Sequence, residues 1–442
     1  MKLSTLDCSS WPLFDIRMVK TAEEARLIAV FDTMIVDGSS MLTLLAEWNE
    51  LVESPHRELC PLGLSFRDYV TQIEPDPGRL AESERYWFDR VDSLAPAPAL
   101  PLVVDPGLVG KPSFRRLEHR LNPDDWQAIT EKAKKQDVTP SVVLLACYAE
   151  ILAKAACQGD LTISLTLFDR PPSLPEAERV VGDFTSLVLV ECSLRPEDTW
   201  LGFLRRVQDR VWSDLDHREV SGIRVLREMA SRGSHLAKAM PVVFTSMLGV
   251  GSSLAREAIW PDNAWSQTPQ VWLDHQVVET SSGVILTWDF VKELFDPENM
   301  KVMFEGYIDR VRQLASEDWA LAKVGEFANF AQGDASIEAP GGGCGTVSKD
   351  LPDDASFREG IERELADLWR DSVGIEPNGR SSNFFASGGD SLSGTKFVQA
   401  VSKRYGISVS LRRFFDSPTI ADLAEMVADE LGDGGSMTIG TI

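Results

Sequence analysis

The sequence is short of positive charge. It contains 44 Lys and Arg residues against 68 Asp and Glu residues, which gives a formal net charge of -24. Nucleic acids and anionic membrane surfaces bind proteins through clustered lysines and arginines. The charge balance therefore argues against both classes of partner, and we expect neither nucleic acid nor membrane binding.

Cysteine is scarce and scattered. Six cysteines stand at positions 8, 60, 147, 157, 192 and 344, without a C-x2-C pair. This pattern predicts neither a disulfide framework nor a metal site. Cys147 and Cys157 lie in an apolar stretch with helical spacing, so we expect buried thiols there. Because the pattern predicts no disulfide framework, the reducing cytoplasm is the default location.

Long apolar runs are also missing. The longest, residues 138–157, is interrupted by Glu150 and Lys154, and it predicts a buried helix rather than a membrane span. The first residues lack the apolar core of a signal peptide. With 442 residues, 43% hydrophobic and 25% charged, the chain is typical of a globular protein of two or three domains.

One stretch of biased composition divides the chain. Residues 331–354 are rich in Gly, Ala, Asp and Pro and have no apolar periodicity, which predicts a flexible linker. We therefore predict a body at 1–330, a small unit at 355–433 and a tail at 434–442.

Periodicity within the body alternates between helical and extended patterns. It predicts helices at 39–52, 80–92, 122–136, 139–156, 199–213 and 298–316, and strands at 26–31, 161–168, 184–191, 241–245, 270–279 and 283–289. The fold class is therefore α/β. In the last unit, helices predicted at 357–374, 391–405 and 419–432 indicate a small helical bundle.

The last unit carries the motif G-G-D-S-L at residues 388–392. Gly388 and Gly389 make a thin loop, and Ser391 at a helix start places an anion where exposed N–H groups favour it. The unit resembles a peptidyl carrier domain. That resemblance implies a 4′-phosphopantetheine cofactor on Ser391, with a phosphopantetheinyl transferase as partner. The acidic side chain of Asp390 is suited to contact a basic synthase surface. The alternative is that Ser391 only caps a helix.

A second motif lies near the start of the body. In FDTMIVDGSS, Asp32, Asp37 and Ser40 are spaced D-x4-D-x2-S. A large acyltransferase-like family has H-H-x3-D-G here, so Asp32 and Thr33 stand where histidines usually do. Together with WPLFDIR (11–17), VGDFTS (181–186), PVVFTS (241–246) and QTPQVWLDHQ (267–276), the motif resembles the heterocyclization domains of nonribosomal peptide synthetases.

The resemblance implies a two-lobed fold like that of chloramphenicol acetyltransferase, with a tunnel between the lobes. It also implies a reaction. An upstream acyl thioester is joined to a carrier-bound Cys, Ser or Thr, and the new amide is cyclodehydrated to a thiazoline or oxazoline. Since WPLFDIR stands only ten residues from Met1, the first lobe would be incomplete. A second chain could complete it, the start could be misplaced, or the domain could be a non-catalytic remnant.

Cyclodehydration needs a group that both accepts and donates protons. The resemblance places this role on Asp274, with Thr245 orienting the carboxylate or relaying a proton. From the residues alone, Asp274 could instead be a surface carboxylate of an alternating strand. Thr245 could be a half-buried strand residue, for which β-branching is suited.

The remaining candidates are assigned other roles. Asp32, Asp37 and Ser40 are expected to shape the strand-to-helix turn, with the two carboxylates clamping an arginine, rather than to transfer protons. Ser164 and Gln270 are candidates for lining the substrate tunnel; Ser164 stands where relatives usually have asparagine. His217 and His275 show no catalytic triad pattern and are expected to be structural or solvated.

The sequence lacks an adenylation domain between body and carrier. An adenylation domain acting in trans is therefore an expected partner, as is an upstream carrier protein that brings the acyl donor. Two alternatives to the cyclizing enzyme remain. One is a non-catalytic scaffold that presents an acylated carrier, and the other is condensation without cyclization.

Overall fold

The computed structural model describes most of the chain. The described residues are 6–7, 10–21, 23–72, 76–170, 175–232, 240–249, 266–268, 270–280, 283–325, 357–358, 360–373, 377, 379–382, 384, 391–407, 409, 414 and 418–433. The predicted linker at 331–354 and the tail at 434–442 lie outside them, so those boundaries stay predictions.

The body consists of eight strands and eight helices within the described residues. The strands are β1 (Phe14–Lys20), β2 (Ala25–Phe31), β3 (Phe114–Leu121), β4 (Asp160–Phe168), β5 (Thr185–Ser193), β6 (Val242–Met247), β7 (Leu273–Thr280) and β8 (Gly283–Val291). The helices are α1 (Gly38–Glu53), α2 (Phe66–Gln72), α3 (Pro77–Phe88), α4 (Pro123–Lys135), α5 (Pro140–Ala156), α6 (Trp200–Leu215), α7 (Gly222–Ser231) and α8 (Pro297–Ser316). Short 3₁₀ turns lie at Pro106–Leu108 and Pro175–Arg179.

A six-stranded sheet organises the body. Its strand order is β3-β8-β7-β6-β4-β5. The central pairs β4–β6 and β6–β7 are parallel, whereas β3–β8, β7–β8 and β4–β5 are antiparallel. Because side chains alternate between the two faces of a strand, this register decides which distant residues share a face.

One face of this sheet is covered by helices and forms the core. Helix α5 packs against β4 and against α4, α6 and α8. Its residues from Val142 to Ala153 are all buried, as are Phe244, His275 and Trp288 on the sheet. A helix that is apolar all round is expected at such a central position, because it has neighbours on every side.

The helix starts follow local chemistry. Thr139 caps α5 through its hydroxyl, which accepts from the Val142 N–H at 3.4 Å, and Pro140 occupies the first turn. Asp37 caps α1 by accepting from the Ser40 N–H. Such side-chain acceptors satisfy N–H groups that have no partner within the helix.

Several elements differ from the sequence-based predictions. Strands β1 and β3 and helices α2 and α7 were not predicted, and α3 begins and ends earlier than 80–92. The prediction of a buried thiol at Cys157 was wrong, although Cys147 is buried. Cys157 follows the last residue of α5 in a left-handed conformation with φ 51°, and its thiol is exposed.

The first part of the chain forms a small separate sheet. Strands β1 and β2 pair antiparallel. Several large apolar side chains here remain exposed, among them Trp11, Met18 and Met34. Exposed apolar side chains concentrated in one segment are typical of a surface that another polypeptide segment covers.

The end of the body is tied to its core through Glu150. This buried carboxylate on α5 accepts from Lys154 Nζ at 2.8 Å and from the Gly325 N–H at 3.1 Å. Arg310 of α8 lies 3.2 Å from its second oxygen. The backbone at Gly325 is therefore held against α5 and α8.

The small unit is a helical bundle, as predicted. It contains α9 (Ile361–Val373), α10 (Ser391–Tyr405) and α11 (Ile420–Asp433). Buried aromatic rings pack against one another at its centre, edge-on for Trp369–Phe384 and Phe397–Phe414 and stacked for Phe384–Phe397. A largely buried ion pair of 2.9 Å between Arg380 and Glu362 joins the segment after α9 to that helix.

No single helix in the described part of the chain is long and apolar enough to cross a membrane. Only α4 and α5 taken together reach that length and composition, and they are bent by 105° at their junction.

Candidate active site

A row of polar side chains crosses the sheet on the face opposite the helical core. The strand register places Thr166 of β4 opposite Thr245 of β6, and Gln276 of β7 follows in line with Thr245. Asp274 of β7 lies directly opposite Asp289 of β8. Five strands thus contribute to one row, with β3 at its end.

Asp274 is the centre of this row. Its Oδ1 lies 3.2 Å from the Thr245 hydroxyl, and its Oδ2 accepts a 2.6 Å hydrogen bond from Gln276 Nε2. The Thr245 hydroxyl lies 2.9 Å from that of Thr166. Since a hydroxyl carries one proton and two lone pairs, Thr245 can donate to the carboxylate while it accepts from Thr166.

The environment of Asp274 suits proton transfer. Burial raises the pKa of Asp274 to about 6, and the nearby Asp289 acts in the same direction. The hydrogen bonds from Gln276 and Thr245 and the charge of Arg116 oppose this rise. A carboxyl with a pKa near neutrality can hold a proton or release it at the pH of a cell, which is the property that a general acid and base needs.

Arg116 and Asp289 form the end of the row. Arg116 Nε and Nη2 donate to the two oxygens of Asp289 at 2.7 and 2.5 Å. Nη2 also lies 3.4 Å from Gln276 Oε1. Asp289 is almost completely buried, with 2% of its side chain exposed, so its charge is compensated chiefly by this guanidinium.

The D-x4-D-x2-S motif builds a buried clamp. Asp37 accepts from Arg170 Nη1 and Nη2 at 2.8 and 3.0 Å, from the Ser40 N–H at 2.7 Å and from the Phe184 N–H at 3.1 Å. The Ser40 hydroxyl donates to the Gly182 carbonyl at 2.9 Å. With four donors on one carboxylate, Asp37 has little capacity left for proton transfer to a substrate.

Asp32 has a simpler role in the same loop. Its carboxylate accepts from the Met34 N–H at 2.9 Å, which is an Asx-type turn. In the described residues no ion pair joins Asp32 to an arginine. Of the two motif aspartates, only Asp37 binds an arginine, which is Arg170.

The motif loop reaches the carboxyl ends of β4 and β6. A Cβ atom added to Gly38 would lie 2.9 Å from the ring of Phe168 and 3.2 Å from the sulfur of Met247. Glycine therefore allows α1 to start against the strands that carry Thr166 and Thr245. The clamp therefore holds the start of α1 beside the polar row.

The two tunnel candidates are placed differently. Ser164 is fully buried, and its hydroxyl donates to the Met240 carbonyl at 3.0 Å. It serves the joint between β4 and the start of β6, and this placement does not support a substrate contact. Gln270 is partly exposed, and its buried Oε1 has no hydrogen-bond partner in the described part of the chain. Gln270 stays a tunnel candidate.

The two histidines belong to packing. His275 lies on the core side of the sheet, where Nε2 is 2.7 Å from the Tyr307 hydroxyl and Nδ1 is 3.1 Å from the Thr287 carbonyl. Burial lowers the pKa of His275 to about 3. His217 stacks on Tyr86 with ring centroids 3.8 Å apart. Neither ring contacts Asp274.

Ser391 is the first residue of α10. A helix of this length offers free N–H groups at its start, and these favour a phosphate. The position therefore fits a phosphopantetheine arm on Ser391.

Four residues of the row were missed from the sequence, namely Thr166, Gln276, Arg116 and Asp289. Thr166, Arg116 and Asp289 carry no local signature, because their relation to Asp274 arises only from strand pairing. Alternating polar residues on β7 and β8 were the available signal. They could not identify the register between strands.

Comparison with known proteins gives two family matches. Residues 2–318 match the family described as Condensation domain, and residues 363–427 match the family described as Phosphopantetheine attachment site.

The chain is similar to parts of larger synthetases. It is 36% identical to bacitracin synthase 1 of Bacillus licheniformis over 74% of this chain and 6% of that protein. It is 33% identical to phenyloxazoline synthase MbtB of Mycolicibacterium paratuberculosis, over 76% of this chain and 29% of that protein. The chain thus spans less than a third of the length of these relatives.

A solved structure shares the fold. The EpoB cyclization-docking bidomain of a nonribosomal peptide synthetase from Sorangium cellulosum superposes with a TM-score of 0.66 and 32% identity. The match covers 71% of this chain and 65% of that chain.

Proposed function

Because the chain belongs to the condensation-domain family of nonribosomal peptide synthetases and contains a phosphopantetheine carrier domain, we propose that it forms a heterocycle. Members of this family catalyse amide formation. The proposed reaction condenses an acyl thioester with a carrier-bound Cys, Ser or Thr. It then cyclodehydrates the new amide to a thiazoline or oxazoline.

The observation that carries this proposal is the Asp274 carboxyl at the centre of the polar row. Ring closure joins the side-chain sulfur or oxygen to the amide carbon, and the carbonyl oxygen leaves as water. The two protons of that water come from the attacking thiol or hydroxyl and from the amide N–H. One carboxyl that accepts each proton and returns it to the departing oxygen balances the reaction.

Thr245 and Gln276 have supporting roles in this proposal. Gln276 Nε2 donates to Oδ2 of Asp274 at 2.6 Å. In this proposal, proton exchange therefore takes place at Oδ1. The Thr245 hydroxyl at 3.2 Å from Oδ1 orients the carboxylate when it is ionised. When the Asp274 carboxyl is neutral, the Thr245 hydroxyl can accept its proton and pass its own proton towards Thr166.

Ser391 supplies the tether. When a phosphopantetheine arm is attached, its terminal thiol carries the aminoacyl group as a thioester. We expect a phosphopantetheinyl transferase to attach the arm, an adenylation domain in trans to load it, and an upstream carrier protein to present the donor. The names of the relatives support this reading, since MbtB is a phenyloxazoline synthase and the EpoB fragment is a cyclization domain. A cytoplasmic location stays a prediction.

A reconstitution assay tests the proposal. The carrier is converted to its pantetheinylated form, loaded with cysteine by a separate adenylating enzyme, and mixed with an acyl-loaded donor carrier. Mass spectrometry should find the amide product minus one water. The linear amide alone would mean condensation without cyclization.

The absence of any transfer would point to the scaffold function instead. Exposed apolar side chains such as Trp11 and Met18 support the proposal that a further polypeptide segment packs on this part of the body. The assay is therefore run with and without an added fragment that supplies such a segment. Failure in both conditions would exclude the enzyme and leave presentation of an acylated carrier as the function.

A further inference from the structure

Two carboxylates face each other on the same side of the sheet. Asp274 and Asp289 are direct partners in the antiparallel register of β7 and β8. Directly opposed like charges disfavour each other, more strongly where water is excluded. The structure holds this pair together, so some other group has to control the repulsion.

Arg116 is placed to do so. It pairs with Asp289 in the register of β3 and β8 and binds both carboxylate oxygens. A two-point contact fixes the plane of the guanidinium as well as its charge. The Arg116 side chain is only 15% exposed, so solvent weakens the contact little.

The same guanidinium also fixes the orientation of the Gln276 amide. Arg116 carries only donors, and a hydrogen bond to Gln276 selects the carbonyl oxygen of that amide. The amide nitrogen is then turned the opposite way, towards Asp274 Oδ2. If the amide turned over, its oxygen would face the carboxylate and repel it. Arg116 thus acts on Asp274 by two routes, through Asp289 and through Gln276.

The charged and titratable groups around Asp274 come from three elements. Asp289 lies on β8, and Arg116 lies on β3 together with Glu118, which interacts with Arg116. Tyr148 of α5 interacts with Asp274 electrostatically from the core side, and burial holds the pKa of this phenol well above its usual value. Tyr148 is therefore neutral near pH 7, and the charges that decide the state of Asp274 are those of Arg116 and Asp289.

From this arrangement we infer that Arg116 is a positioning residue of the ring-forming site. It neutralises Asp289 opposite Asp274 and keeps the Gln276 amide turned so that it donates to Asp274. The inference rests on the proposed function for its catalytic meaning, but the arrangement itself can be tested without catalysis.

The direct test follows the titration of Asp274 by carbon NMR of the full chain labelled at the aspartate carboxyl groups. The Asp274 signal is assigned by its loss in Asp274→Asn. In Arg116→Gln, the uncompensated Asp289 charge should raise the pKa of Asp274 by about one pH unit. The double variant Arg116→Gln with Asp289→Asn should bring it back towards the wild-type value.

Matched variants separate charge from geometry. Arg115→Gln changes the neighbouring exposed arginine of β3, whose side chain points to the other face, and should leave the Asp274 titration unchanged. Arg116→Lys keeps the charge but loses the two-point contact, so its shift should be smaller than that of Arg116→Gln. An unshifted Asp274 titration in a folded Arg116→Gln protein would overturn the inference.

If Arg116→Gln fails to fold, Asp289→Asn serves instead. Removing that charge should lower the pKa of Asp274, and no shift would again overturn the inference. The pH profile of the ring-to-linear product ratio should move in the same direction as the NMR titration. If wild-type protein makes no ring at all, the proposed function fails while the NMR result still decides the role of Arg116.

Discussion

Arg170 holds Asp37 by two parallel hydrogen bonds, 2.8 and 3.0 Å long, in a site from which both side chains are almost fully excluded from water. The guanidinium also lies over the ring of Phe184, 4.2 Å from its centroid. The pair connects the start of α1 to the segment after β4. Asp37, in the acidic motif at the position of the family's histidine motif, thus has a structural role as the joint between α1 and the segment after β4.

Breaking this joint from one side should destabilise the protein strongly. We expect Arg170→Met to lower the free energy of unfolding by about 3–5 kcal/mol, because Asp37 is left buried without its cation. Urea denaturation followed by fluorescence measures this. The double variant Arg170→Met with Asp37→Asn should recover part of the loss. A loss below about 1 kcal/mol, the usual size for a surface pair, would contradict the buried clamp.

Thr245→Val should slow ring formation more than amide formation. The variant keeps the β-branched shape but removes the hydroxyl that contacts Asp274 Oδ1, so the carboxyl loses an orienting partner. We expect a loss of about 10–100-fold in ring formation, measured as the ratio of cyclic to linear product. Thr162→Val on β4, a buried threonine whose hydroxyl bonds the Ala95 carbonyl, is the matched control and should leave that ratio unchanged.

Asp274→Asn should abolish the ring while linear amide accumulates, because an amide side chain cannot exchange protons at this step. In the wild type, ring formation should rise with pH and reach half its plateau near pH 6, since the attacking group needs an ionised carboxylate as base and the pKa of Asp274 is raised to about 6. Product mass measured between pH 5 and pH 8 checks both statements. Rings formed by Asp274→Asn at the wild-type rate would remove Asp274 from the mechanism.

The same carboxyl should also affect stability. The folded-state pKa of Asp274 is raised by burial, so its contribution to stability is full below the unfolded pKa near 4 and is lost as pH rises through about 6. Asp274→Asn should therefore gain stability relative to wild type between pH 4 and pH 8, by about 1–2 kcal/mol since the side chain is partly exposed. Urea unfolding at the two pH values measures the difference, and a constant difference would contradict the raised pKa.

His275 should have the opposite pH dependence. Burial lowers its pKa from 6.5 to about 3, so its contribution to stability is full above pH 6.5 and is lost as pH falls towards 3. Wild type should lose on the order of 2 kcal/mol from this group between pH 6.5 and pH 4.5. His275→Gln cannot take up that proton and should show a shallower dependence in the same unfolding experiment. Equal slopes would mean that His275 does not stay neutral in the folded protein.

The sequence predicted long, strongly periodic elements and local motifs well. Helix α5, with its Thr139 cap and Pro140, and helix α10 starting at Ser391 both form as expected. Strand β3 was missed because its sequence FRRLEHRL lies at the sheet edge and carries charged residues at half of its positions. Its pairing with β8 supplies the reason for its extended form, and that pairing is not local information.

The candidate site was predictable only in part for the same physical reason. Asp274 and Thr245 stand in recognisable motifs, and the parallel pairing of β6 with β7 brings them together. Arg116 enters from a strand more than a hundred residues away in sequence, through contacts that depend on register. Ser164 shows the reverse case, since a motif position predicted a substrate contact, whereas the side chain is buried and its hydroxyl donates to the Met240 carbonyl.

The attachment of Gly325 to Glu150 defines where the carrier unit is anchored. Thirty-one residues separate Gly325 from Phe357, so the contour length between them is at most about 110 Å. Every position that the Ser391 arm can visit therefore lies within a sphere centred on one fixed point at the edge of α5 and α8. The geometry of that anchor, as much as the chemistry of the polar row, limits which donor and acceptor sites this chain can serve.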